Sequence, residues 1–172
     1  MHAVERTPAC SSDDRPPLPR RARQPLRSAT WLALALLLAG CTSETDRVPA
    51  SCLAGPQVIA RALQRAPAAV TLPGGAKLSM CVGRARGDAE LQTLGSTLLA
   101  VADDLGARAA SDDVAALRLG YLAGATRRGV GASPGLATQL GRRVEQRTQL
   151  PAASSGARAA LRRGLRAGRD NG

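Results

Sequence analysis

The sequence predicts an all-α protein, a small irregular helical bundle of about four helices with a short β-hairpin near 69–82, pinned by one disulfide. Three observations point there. Apolar residues recur at helical spacing through Leu91, Leu94, Leu98 and Leu105, and again through Val114, Leu117, Tyr121 and Ala125. Helix-opening residues stand ahead of each periodic run. Two cysteines, Cys52 and Cys81, fall in the same stretch and are suited to a covalent staple.

Gly55-Pro56 opens the first helix, with proline at a first-turn position where its missing N–H costs nothing. Val58, Ile59, Ala62, Leu63 and Ala66 form its apolar face, Arg61 and Arg65 face outward, and Pro67 stops it. Val70-Thr71-Leu72-Pro73-Gly74-Gly75 reads as an extended piece followed by a turn. Lys77 to Val82 then either returns as a second strand or begins a helix capped by Ser79. A lone two-stranded hairpin is marginal by itself, so any strand here adorns the helices.

Asp88 reads as the N-cap of the longest run, which carries Leu91, Leu94, Leu98, Leu99, Val101, Ala102 and Leu105 on one side. Ser111-Asp112-Asp113 caps the next, a helix apolar enough to be central. On it Ala116, Gly120 and Gly124 stand four apart and leave a smooth ridge for a close neighbour. Ser133-Pro134 opens a fourth helix seamed by Leu136, Leu140 and Val144.

Pro151 to Gly156 reads as a linker. Beyond it Ala157, Ala160, Leu161 and Leu165 lie on one side of a helical pattern, and Arg158, Arg162, Arg163, Arg166 and Arg169 populate the other. As a helix this segment is basic and amphipathic, suited to anionic surfaces. The competing readings are a solvated terminus or a fifth helix docked through Leu161 and Leu165, and Gly164 and Gly168 weaken any helix there.

Ahead of the domain, an Arg-flanked run of nine apolar residues, Trp31 to Ala39, ends in Leu38-Ala39-Gly40-Cys41. Such a run is about half the length needed to span a bilayer. With Arg15, Arg20, Arg21, Arg23 and Arg27 as its basic flank it follows the tripartite order of an export signal. Residues 15–41 resemble the signal of bacterial lipoprotein precursors, whose lipobox is cut before a cysteine that receives diacylglycerol. The resemblance implies that Cys41 becomes a lipidated mature N-terminus, carrying acyl chains such as palmitate. The protein is then expected outside the cytoplasm, lipid-anchored to a bacterial membrane of the cell envelope. On this reading residues 1–40 are the signal peptide, 41–50 a polar tether, 51–150 the helical domain and 151–172 a basic C-terminal tail.

Of the four cysteines, Cys10 then leaves with the leader and Cys41 carries the lipid, so Cys52 and Cys81 are expected to pair in an oxidising compartment. The mature 132 residues contain no His and no Cys-x-x-Cys spacing, which argues against a zinc site; no metal and no cofactor are expected. Phe is absent and Tyr121 is the sole aromatic beyond the leader, so Leu, Val and Ala must fill the core. Net charge over residues 41–172 is +8, half of it in residues 151–172.

Gly129-Val130-Gly131-Ala132-Ser133-Pro134-Gly135 invites comparison with phosphate-cradling loops, but a helix precedes it where a dinucleotide fold needs a strand. A weaker anion site survives, built from Arg127, Arg128 and Ser133 at the start of the Pro134 helix, against plain helix–turn–helix punctuation. Asp103-Asp104 and Asp112-Asp113 read as helix-end or capping residues, and Lys77 with Ser79 carries no sign of an activated nucleophile. The expected function is therefore non-enzymatic: a binding or assembly role in the envelope. Its expected partners are the membrane, through lipid at Cys41, and an anionic lipid or cell-wall polymer, through the tail. Export removes nucleic acid as a partner. The alternative is a small-ligand or anion carrier or sensor, with its ligand beside Tyr121 and Arg127-Arg128; an enzyme is the third reading.

Overall fold

Pro56 fixes its own φ and Gly55 accepts φ +96°, and together they turn the chain into α1 (Pro56–Ala62), which tightens into a short 3₁₀ turn over Leu63–Arg65. The computed structural model describes residues 47–131 and 135–172. Among these residues there are six α-helices and no named strand, as the all-α reading requires. Ile59, Ala62 and Leu63 of the first segment are buried while Arg61 and Arg65 are exposed.

The expected hairpin reduces to one antiparallel bridge, Thr71 to Lys77, closed around Gly74 and Gly75 at φ +83° and +80°. Lys77 then caps α2 (Leu78–Arg84), so Ser79 lies inside that helix and does not cap it. The helix wins because Leu78, Cys81 and Val82 bury one face at helical spacing. Cys81 thereby meets Cys52, which ends a 3₁₀ turn over Ala50–Cys52; their Sγ atoms are bonded at 2.04 Å.

Helix α3 (Asp88–Ala109) has Gly87 as its N-cap, and Asp88 sits one position further in, with Glu90, where negative charge complements the helix dipole. The Glu90 carboxylate also accepts from the Arg86 N–H at 3.2 Å. Asp112 caps α4 (Asp113–Val130), accepting from the N–H groups of Val114 at 2.8 Å and Ala115 at 3.2 Å. Helix α5 (Leu136–Gln146) starts later than expected, with Gly135 at its N-cap; Ser133 and Pro134 lie outside the described residues.

Helix α6 (Ser155–Asn171) is capped by Ser154, whose hydroxyl accepts from the Ala157 N–H at 3.0 Å. It belongs to the packed domain: Ala157, Ala160, Gly164 and Gly168 are buried, and with α4 it makes the most extensive helix pair in the fold. The pair is parallel. A Cβ on Gly120 would meet Leu161 and Leu165, one on Gly124 would meet Leu165 and Arg169, and one on Gly164 would meet Leu117 and Tyr121. These Cβ-to-carbonyl distances are 2.0 to 2.3 Å, so the glycine Cα–H bonds point at backbone oxygens across the interface. The smooth ridge expected on α4 therefore has an equally smooth counterpart.

The packed unit is thus wider than residues 51–150. At its front Val48, placed in the tether by sequence, is buried in the core. Tyr121, Ile59, Leu63, Leu94, Leu98, Leu119 and Leu122 are its largest fully buried side chains. The Tyr121 hydroxyl accepts from the Val70 N–H at 3.0 Å, which satisfies a buried backbone donor in a segment that has no ladder partner of its own. Burial pushes the phenol pKa above its ordinary value, partly offset by that N–H and by the charge of Arg128. Among the described residues no helix is long and apolar enough to cross a membrane.

Candidate functional site

Because the small residues of α6 face α4, its arginines are forced outward. At about 100° per residue Arg162 and Arg166 project most nearly opposite the glycine stripe, with Arg158 and Arg169 to one side of them and Arg163 to the other. All five are exposed. Among the described residues the ion pairs are Asp104 with Arg108, Glu145 with Arg127, and Asp103 with Arg147, so no α6 arginine side chain is neutralised by a carboxylate. The segment read as a tail is a docked helix with a cationic outer face, held by close backbone contact with α4, by buried Ala157 and Ala160, and by half-buried Leu161 and Leu165 packed against the core.

The predicted anion site of Arg127, Arg128 and Ser133 is not assembled among the described residues. Arg128 donates to the carbonyls of Arg169 at 2.5 Å and Asp170 at 2.9 Å, so its guanidinium caps the C-terminal end of α6. Arg127 points to Glu145, 3.4 Å away. Gly129 and Val130 belong to α4, where a Cβ on Gly129 would meet the Ser79 carbonyl at 2.4 Å; that glycine serves close packing of α2 on α4. Ser133 falls outside the described residues, and so do Cys41 and residues 1–40, where the export signal is expected.

The other sequence candidates take structural positions. The Ser79 hydroxyl donates to the Gly172 carbonyl at 2.7 Å. Asp103 and Asp104 lie inside α3, short of its end, and each pairs with an arginine. Asp113 packs against Gly156 at the start of the α4–α6 contact. Tyr121 projects from α4 to Val70, fully buried, and lines neither of the two clefts described next.

Two clefts among the described residues are chemically distinct. One, of about 490 Å³, runs between α3 and α5 and is lined by Leu91, Gly95, Leu99, Leu136 and Leu140, with Arg143 at its rim. The second lies where α4, α5 and α6 end and carries Arg127, Arg142 and Arg169. Sequence reading missed Arg142 because α5 looked like an ordinary amphipathic helix. The chain matches no protein-family model, no curated protein and no solved structure.

Proposed function

We propose that this protein is a membrane-anchored lipoprotein of the cell envelope that acts outside the cytoplasm as a non-catalytic, cationic binding module. The anchoring half of this reading is supported by Leu38-Ala39-Gly40-Cys41 and its Arg-rich flank. The binding half is carried by one observation: α6 presents Arg158, Arg162, Arg163, Arg166 and Arg169 to solvent without carboxylate partners among the described residues, on a helix packed closely on α4. A helix already packed on α4 has no backbone left to order on meeting an anionic surface, whereas a disordered tail must be ordered first. Anionic lipid or cell-wall polymer is the matching partner class, and salt screens the contact.

The test is retention of the full chain on phosphatidylglycerol-containing vesicles. Replacing Arg158, Arg162, Arg163 and Arg166 together by Gln should reduce retention strongly at low salt and leave thermal unfolding unchanged. Equal retention by this variant would sink the binding half. Intact mass of the membrane-extracted protein should show an acylated Cys41 as the N-terminus, and Cys41→Ala should abolish both acylation and cleavage; an unacylated N-terminus in the wild type would sink the anchoring half.

A further inference from the structure

The parallel course of α4 and α6 brings their C-terminal ends side by side, and α5 closes the third wall. Arg127 from the last turn of α4, Arg142 from α5 and Arg169 from the last turn of α6 line one cleft of about 420 Å³, with Leu165 also lining it. Glu145 is the only acidic residue in that lining, so the cleft carries a formal excess of two positive charges. Arg142 and Arg169 have no carboxylate partner among the described residues, and Arg127 holds Glu145 at 3.4 Å, longer than a tight charge-assisted bond of about 2.7 to 2.9 Å. Arg128 is already committed to the α6 carbonyls and stands apart from this set.

We infer that this cleft is a seat for a phosphate ester, with Arg127, Arg142 and Arg169 as its donors and Glu145 as an internal competitor that the ligand displaces. The inference rests on the reading of the protein as an anion-binding module and names a site within it. Guanidinium forks from three helices suit a terminal phosphate, whose oxygens point in several directions, better than a planar carboxylate that one fork can satisfy. The volume admits a headgroup-sized ligand, at the small end of the range usual for such sites, about 300 to 1,000 Å³.

Titration of the full chain with glycerol phosphate, followed by calorimetry, tests the assignment. Saturable binding is expected, weakened about tenfold by Arg142→Gln or Arg169→Gln, each loss being about one charge-assisted contact. Glu145→Gln should strengthen binding, because it removes the competitor and raises the local charge. Arg61→Gln, an exposed arginine on α1, should change nothing and controls for net charge. No saturation, equal losses from Arg61→Gln and Arg142→Gln, or weaker binding by Glu145→Gln would each overturn the seat. Vesicles then separate the two sources of phosphate. Displacement from phosphatidic-acid vesicles, whose headgroup is a terminal phosphate, by glycerol phosphate, together with reduced retention of Arg142→Gln, marks a lipid headgroup as the ligand; binding of glycerol phosphate without either effect marks a soluble ester. The α6-face variant probes the wider surface-binding reading without touching Arg127, Arg142 or Arg169, so the two can fail separately.

Discussion

A Cβ on Gly164 would stand 2.0 Å from the carbonyl oxygen of Leu117. No rotamer change relieves that overlap, because both atoms belong to the backbone or are fixed to it. Gly164→Ala must therefore push α6 off α4. The gain of about 1 kcal/mol in helix propensity is outweighed by an overpacking cost of about 1 to 3 kcal/mol or more, so denaturant unfolding should show net loss of stability. Gly106 in α3 provides the opposite sign: the nearest atom to its Cβ would be the Arg147 carbonyl oxygen at 3.8 Å. Gly106→Ala should stabilise by about 0.5 to 1 kcal/mol.

The Cys52–Cys81 bond ties the 3₁₀ turn at the front of the domain to α2 across 29 positions. Closing a loop of that size stabilises by about 3 to 4 kcal/mol in the chain-entropy picture. Replacing both cysteines by Ala should lower the denaturant midpoint accordingly, and the wild-type protein under reducing conditions should approach the same midpoint.

Tyr121→Phe removes the acceptor of the Val70 N–H and leaves that buried donor unpaired, at a cost of about 1 to 3 kcal/mol. The same residue sets an alkaline limit. Its folded pKa is raised by burial, so the folded state holds the phenol proton more tightly than the unfolded chain does. The associated stability is fully present below the unfolded value of about 10 and is lost as pH rises through the higher folded pKa. Unfolding free energy measured across that window should fall with pH in the wild type and less steeply in Tyr121→Phe, and tyrosinate absorbance should appear late.

Arg128→Gln removes the two contacts that close the end of α6. A cation at a helix C-terminus contributes about 0.3 to 1 kcal/mol when exposed, so global stability should drop only slightly. Amide exchange should quicken in the last turn of α6 and stay unchanged in α3; uniform acceleration would contradict a capping role.

The long helices could be read from the chain because their information is local. Asp112 caps α4, and Leu91 to Leu105 keep one face of α3 apolar, whatever packs beside them. Helix α2 was open to two readings because seven residues around Cys81 satisfy both a strand and a short helix until the position of Cys52 is known. Gly164 and Gly168 looked like helix breakers, since propensity describes a helix without a neighbour. Their four-residue spacing, continued by Gly156, Ala160 and Gly172, matches Ala116, Gly120 and Gly124, and that match is the signal that α6 docks. The cleft was invisible for another reason: Arg127, Arg142 and Arg169 come from three helices and meet only through the register of α4 against α6.

The glycine ridges of α4 and α6 are made early and late in the chain, with α5 between them. During synthesis, which proceeds from the N-terminus, α4 exists before its main partner does. Over that interval its smooth face can be covered only by loosely fitting substitutes, because contacts between distant segments form last and most slowly. The final helix is therefore the piece that commits the domain, and a chain stalled before Ser155 should be the form that chaperones hold and proteases find.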